Sequence, residues 1–479
     1  METLQPKIIW HYFNEICQIP HASGKEKRLI EYLVDFGRKH QLETQTDAAG
    51  NVLIRKKATP GMEGKPSVAL QSHIDMVAEK NEDTLHDFDN DPITPYIEGE
   101  WVKARGTTLG ADNGIGVAAQ LALLASDDIP HGPLECLFTV EEETGLTGAK
   151  KLQPDFIHSK KLINLDSNED GVFCIGCAGG INTVADFHYE EQETPDDLYF
   201  FNVKVRGCQG GHSGEDINKN RGNAIKILSR YLWEVNKKYP LYLQKIEGGN
   251  LLNAIPREAS AVAAVPFSQK EEVRIAMNIF THDIENEYPA EKEFYMHLES
   301  GQPAGWVIDK VQSNKLLNAL HACPHGVIRT NTELDGLPEV STNLASVKMS
   351  GSGVINVCTS QRSPLESARN DLSRQIEALF TLAGARVRHS DGYPGWQPNL
   401  SSEVTQAAVD SYCRLFGVKP VVRTIHAGLE CGLFLEKYPG LDMISIGPTI
   451  VDNHSPAEKV HIRSVEKFWE HLKEMLNTL

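Results

Sequence analysis

The 479-residue sequence contains no apolar run near the roughly 18 residues that a membrane helix needs. Its opening, METLQPKIIWHYFNEICQIP, lacks a basic start followed by a long apolar stretch, so no secretory leader is expected. Both absences lead to the expectation of a cytoplasmic protein with no membrane partner. Positive charge is also in short supply. Lys and Arg number 47 against 65 Asp and Glu, a formal net charge of −18. Such a surface repels phosphate backbones and anionic lipid, so nucleic acid is not an expected partner. Cysteine is sparse and irregular: nine residues, an odd number with no repeated spacing, argue against a disulfide framework. Cys174-Ile-Gly-Cys177 is a lone CxxC without a second half. It is read as reduced structural thiols rather than half of a zinc site or a redox pair.

Hydrophobic residues make up 41% and charged residues 23%, the balance of an ordinary soluble protein. The chain exceeds the roughly 250–300 residues at which single cores stop growing, so two domains are expected. The acidic excess also concentrates cations near the surface, which suits a metal enzyme without establishing one.

The first 180 residues read as helices and strands in alternation. Helical periodicity runs over 7–18 and 25–40. Ser67–Leu70 is a short apolar strand leading into Gln71-Ser72-His73-Ile74-Asp75. Gly114–Ala125, rich in Ala and Leu, reads as a buried helix. Leu134–Val140 is a strand ending in three glutamates, and Lys161–Leu165 is a strand ending at Asp166. Alternation of this kind predicts a mostly parallel sheet covered on both faces. The pattern then changes. Leu198–Arg206 alternates like a half-exposed strand, a helix follows over Asn223–Lys237, and strands near 258–265, 291–298 and 354–359 mix with helices near 269–285, 313–322 and 365–383. His389–Ser401, dense in Gly, Pro and polar residues, reads as a hinge. Beyond it come a helix over 403–415, a strand over Asp442–Ile446, a loop carrying His454 and an amphipathic helix over 463–477. The expected fold class is therefore α/β with a mixed, mainly parallel sheet. This domain, residues 1–185 and 396–479, is interrupted by an α+β insertion over 186–395.

Five positions carry imidazole or carboxylate side chains where strands give way to loops: His73, Asp112, the Glu142/Glu143 pair, Asp166 and His454. The carboxyl ends of strands are where open α/β sheets bind ligands. Imidazole nitrogen and carboxylate oxygen both ligate zinc, and no cysteine accompanies them, which favours an open catalytic site over a closed structural one. A single carboxylate can bridge two metals, and two metals can hold a water and polarise a carbonyl. In His73-Ile74-Asp75, residues two apart on an extended segment face the same way, so Asp75 can orient the His73 ring. Glu141-Glu142-Glu143 would repel one another without a cation among them; with one, a Glu binds it and its neighbour serves as general base. Each position also has a plainer explanation. Asp75 can cap a loop histidine, the glutamates can start a solvated helix, and Asp112 between glycines can be an N-cap. Asp166 can be a turn residue and His454 an exposed loop histidine. The order of all five together is what favours the metal.

That order, with SHIDMV (72–77), GTTLGADNGIG (106–116), FTVEEETGLTGA (138–149), LINLDS (162–167), GGHSGEDI (210–217), NLLNAIPREA (250–259), SQRSPLESARNDL (360–372), HAGLECGLF (426–434) and GPTIVDNHSPAE (447–458), resembles the M20 family of metallopeptidases. Within that family it is similar to the aminoacyl-histidine dipeptidases. The resemblance spans nearly the whole chain. It implies a zinc-exopeptidase-like catalytic domain interrupted by a lid domain, and two Zn2+ per chain, with Co2+ or Mn2+ as substitutes. The ligands it implies are His73, Asp112 as bridge, Glu143, Asp166 and His454, with Glu142 as general base and Asp75 orienting the first histidine. It also implies a cis bond between Asp112 and Asn113. From the lid it implies His212 as partner to the oxyanion, within its own chain or across a dimer. Arg369 is implied near the terminal carboxylate of a dipeptide substrate, and Asn253 and Gly428 line the same pocket. Homodimer and monomer are both left open.

The implied reaction is hydrolysis of Xaa-His and other dipeptides. An N-acyl amino acid deacylase or a carboxypeptidase of the same family is the alternative within the enzyme class. The insertion of about 210 residues is long for a deacylase and favours the dipeptidase. A metal-binding protein without catalysis is the alternative outside it, and the presence of Glu142 speaks against that.

Overall fold

The computed structural model describes residues 1, 3–332, 336–351 and 353–479. The chain divides into two compact units: Met1–Cys177 with Trp396–Thr424 and Leu429–Leu479, and Ala178–Gly395 with Ile425–Gly428.

In the first unit the apolar runs VALQSH and LECLFT are buried at every position, as strands covered on both faces must be. They lie at the centre of an eight-stranded sheet. Its order is Glu43–Thr46, Val52–Lys56, Leu134–Thr139, Val68–His73, Lys161–Asn164, Asp442–Ser445, Val172–Cys177 and Val421–Ile425. The four strands from Leu134–Thr139 to Asp442–Ser445 run parallel, so their carboxyl ends share one edge. Antiparallel neighbours flank them on both sides, so the sheet is mixed and is parallel in its centre only. Helices Lys7–Cys17, Ala111–Ala125, Glu403–Phe416 and Ile462–Thr478 close over the sheet, and Phe13, Ile115, Leu121, Val404, Phe468 and Leu472 join its side chains in one core. Gly116 allows the second of these helices its close approach: a Cβ there would stand 2.6 Å from Ser72 Oγ and 3.0 Å from Leu165 O.

The second unit has its own core beneath a nine-stranded sheet in which the described pairings are antiparallel. Helices Ala224–Lys238, Lys270–Glu287, Lys310–Ala322 and Glu366–Leu382 accompany it. Asn223 caps the first of them, its side chain accepting from Ile225 N and Lys226 N.

Two edges differ from the sequence reading. The boundary expected at 185/186 falls inside strand Gly179–His188, which pairs along its length with Val354–Ser363 and so belongs wholly to the second unit. The stretch read as a hinge is tied down by paired main-chain bonds. Tyr393 and Gly180 exchange them at 2.9 and 3.0 Å, and Trp396 and Cys177 exchange them at 2.9 Å. All nine cysteines are free thiols, with Cys174 and Cys177 buried on one strand. Among the described residues no helix is long and apolar enough to cross a membrane.

Candidate metal centre

The shared edge of the parallel strands collects the first unit's candidate residues. His73 is the last residue of its strand, Glu141–Glu143 follow Leu134–Thr139 closely, and Asp166 lies two residues past Lys161–Asn164. Asp112 sits in the opening turn of helix Ala111–Ala125 and His454 in the loop after Ile450–Val451. His73 Nε2 lies 3.3 Å from Asp112 Oδ1 and 3.4 Å from Asp166 Oδ1. His454 Nε2 lies 2.9 Å from Glu143 Oε1 and 3.6 Å from Asp112 Oδ2. The two oxygens of Asp112 thus face two different imidazole–carboxylate pairs. One donor atom each from His73, Asp112 and Glu143 also lie within 4.8 Å of one another.

The backbone at these points is held in uncommon conformations. Gly110 turns the chain at φ 69°, the Asp112–Asn113 bond is cis, and Glu141 and His454 are left-handed at φ 50° and 61°. Non-glycine residues in that region cost energy and persist where the surroundings fix them. Buried acids do much of the fixing. Asp75 takes Ser23 Oγ at 2.7 Å, Glu142 N at 2.9 Å and Glu143 N at 3.1 Å, while Glu26 takes Glu141 N at 3.1 Å. Each of the three glutamate amides therefore ends on a carboxylate. Asn453 and Asn168 donate to Asp112 Oδ2 at 2.8 and 3.3 Å, and Asn113 donates to Asp166 Oδ1 at 2.8 Å.

The electrostatics are those of a site short of positive charge. Burial works against charge on His73, yet Asp166, Asp112 and Asp75 outweigh it and hold the imidazole well above its ordinary range. Hydrogen bonds to Asp112 and Glu143 raise His454 to about 11. Burial pushes Asp166 up to about 7. It pushes Glu142 well above the carboxylate range, with Glu143 and Asp166 adding repulsion that His73 only partly offsets. Burial opposes charge on Asp112 too, but its bonds to His454 and His73 hold it well below that range. Protons on two imidazoles here supply the positive charge that a cluster of carboxylates demands. Divalent cations fit the same donors, because imidazole nitrogen and carboxylate oxygen suit zinc and its neighbours.

His212, Asn253, Arg369 and Gly428 belong to the second unit. His212 Nδ1 accepts from Glu215 N at 3.2 Å, which leaves the proton of a neutral ring on Nε2. Asn253 is exposed, and its main-chain oxygen accepts from Ser213 N at 2.8 Å. Gly428 lies under Tyr393, whose ring would be 2.8 Å from a Cβ at that position. Arg369 is buried, and its guanidinium is bound to the main-chain oxygen of Tyr393.

Sequence reasoning missed Arg362, seven residues earlier. It is 6% exposed and donates to Tyr393 OH at 2.9 Å and to Ser213 Oγ at 3.3 Å; among the described residues no carboxylate pairs with it. It also missed Glu430, fully buried, whose Oε2 takes Gln71 Nε2 at 2.6 Å and Thr139 Oγ1 at 2.9 Å. Both stand inside motifs already singled out, but a single charged residue there gives no sign of what it meets.

A central parallel sheet whose strand ends gather imidazoles and carboxylates around a shared aspartate is the architecture of a metallopeptidase. The chain belongs to peptidase family M20/M25/M40, whose model matches residues 69–478, and membership of that family implies dependence on a divalent metal. It is 43% identical to the cytosol non-specific dipeptidase of Escherichia coli K12, covering 100% of this chain and 99% of that one. The crystal structure of aminoacylhistidine dipeptidase from Vibrio alginolyticus superposes with TM-score 0.89 at 42% identity, covering 100% of this chain and 98% of that one. A tripeptidase from Staphylococcus aureus, at 17% identity, TM-score 0.57 and coverage of 99% and 98%, shares the fold.

Proposed function

We propose that this protein is a cytoplasmic dipeptidase, acting on Xaa-His and other dipeptides with two zinc ions per chain. The observation that carries the reading is Asp112, one oxygen toward His73 and Asp166 and the other toward His454 and Glu143. That is the disposition of a carboxylate shared by two cations. The names of the relatives from E. coli and V. alginolyticus, one cytosolic and both dipeptidases, support the substrate class and the compartment. Two ions held by His73, Asp112, Glu143, Asp166 and His454 would acidify a water and polarise the scissile carbonyl. Cobalt or manganese would serve at the same donors.

Glu142 is the general base. The turn that carries it is fixed by the Asp75 bonds to the amides of Glu142 and Glu143. It accepts a proton from the attacking water and returns it to the departing amine. His212 is assigned to the developing oxyanion and Asn253 and Gly428 to the substrate; the substrate's carboxylate falls to Arg362 rather than to Arg369, whose guanidinium is held by the main-chain oxygen of Tyr393.

The experiment is metal analysis joined to turnover. Wild-type protein should carry two equivalents of zinc and cleave an Xaa-His dipeptide until chelated. Glu142→Ala should keep the metal and lose about 10²–10⁴ in kcat. Near-normal turnover by that variant removes Glu142 as base. Cleavage of N-acyl amino acids with dipeptides untouched would make the protein a deacylase instead.

A further inference from the structure

Glu458 lies four residues beyond His454 and is 2% exposed. Its Oε2 accepts from Leu109 N at 2.7 Å and Gly110 N at 3.1 Å, and its Oε1 accepts from Ala111 N at 2.8 Å and Asp112 N at 3.3 Å. One carboxylate therefore takes four successive main-chain amides from a segment some 350 positions away in sequence. These amides open helix Ala111–Ala125, where N–H groups have no partner inside the helix and negative charge is favoured. Residue 110, the helix N-cap, is glycine and supplies no side-chain cap of its own.

The placement joins two features of the site. Asp112 is the last residue of the clamped segment, and its cis bond to Asn113 follows directly. His454, left-handed at φ 61°, is on the loop that delivers the clamp. Helix opening and histidine loop are thus fastened to each other through Glu458, independently of the side chains of His454 and Asp112.

We infer that Glu458 is a positioning residue: it fixes the Asp112 turn to the His454 loop and so sets the separation of two donors that a shared cation requires. This rests on reading those two residues as ligands. Glutamine at 458 keeps the shape but offers one acceptor oxygen, and its NH2 would face two amide donors. A role in packing alone tolerates that exchange; a role in holding four amides does not.

The measurement uses the full chain and Co2+ as probe. Outer partners of metal ligands typically affect affinity by about 10–100-fold. Glu458→Gln should lose Co2+ affinity by that factor in a spectroscopic titration. In metal-free protein the amides of Leu109–Asp112 should exchange hydrogen faster than in the wild type, with the overall circular dichroism kept. Wild-type Co2+ affinity in Glu458→Gln overturns the inference. Should that variant not fold, Glu458→Asp, which keeps the charge but shortens the reach, takes its place with the same two readouts, and wild-type values in both overturn the inference equally. His73→Ala separates the two claims. If it binds Co2+ like the wild type, the ligand reading fails, whereas the exchange rates at Leu109–Asp112 report on the clamp without any metal.

Discussion

His73 Nδ1 faces the main-chain oxygen of Asp75 at 3.0 Å and the Asp75 carboxylate at 3.4 Å. The ring is therefore oriented chiefly by the backbone of Asp75, while the side chain makes its shorter bonds to Ser23 and to the amides of Glu142 and Glu143. The acid two residues after the histidine shapes the glutamate turn as much as it orients the ring.

Asp75→Asn separates these duties. Asparagine leaves the main-chain oxygen for His73 in place but presents an NH2 where the glutamate amides need acceptors. Metal content should stay near that of the wild type, and kcat should fall about 10–100-fold. Metal analysis beside steady-state kinetics checks this. A variant that loses its metal along with its activity would assign Asp75 to holding the ligands His73 and Glu143 rather than to the general base.

The residues around the candidate centre were legible because each ends or follows a strong local pattern. An apolar run such as LECLFT that stops at three glutamates is conspicuous in one dimension. Leu198–Arg206 could be read to its ends because its partly alternating pattern is set by the sheet it enters. Pro338–Ser350 could not. Its sequence, PEVSTNLASVKMS, carries Ser341, Thr342 and Asn343 into full burial, where Gln361 donates to Thr342 and Asn343 donates to Ala254 O. Polar residues that find partners only after folding look like loop beforehand. Arg362, Glu430 and Glu458 were hidden for the same reason: their meaning lies in partners tens to hundreds of positions away.

Arg362 and Arg369 should behave differently when truncated. A buried guanidinium whose partners among the described residues are hydroxyls is suited to an incoming carboxylate, whereas Arg369 is already engaged by the main chain of Tyr393. Hydrogen bonds to charged groups contribute about 1.5–3 kcal/mol, so Arg362→Ala should raise KM for dipeptides by about 10–150-fold. Arg369→Ala should lower the thermal midpoint of the protein and change KM less. Kinetics with free and amidated C-termini distinguish the two, since only a contact to the carboxylate is lost on amidation.

Acid should weaken the fold through His471. This ring is 2% exposed, stacks on Phe173 at 5.0 Å and donates from Nε2 to Ala408 O at 2.9 Å; burial pushes its pKa down to about 4. An unfolded histidine titrates near about 6.5. Between those values the unfolded chain binds a proton that the folded chain refuses, so stability falls as pH drops from about 6.5 toward 4 and is fully present above. Melting metal-free wild type and His471→Gln across that range should show a shallower acid slope in the variant. Metal-free protein is the right sample, because loss of bound cations on acidification would otherwise be added to the slope.

Chelation should destabilise the first unit selectively. Without a cation, the carboxylates of the cluster are offset by protons on His73 and His454 and by those that burial keeps on Glu142 and Asp166, and loss of any of these leaves carboxylates in mutual repulsion. A ligand at 100 times its Kd adds about 2.7 kcal/mol to the state that binds it. Each unit has a core of its own, one spanning Ile9 to Leu479 and the other Ala185 to Ala385. Hydrogen exchange on metal-loaded and chelated protein should therefore change at 71–75, 109–116, 139–143 and 164–168, and leave the strands of the second unit as they were. Loss of protection spread evenly over both units would place the bound ions elsewhere than at this cluster.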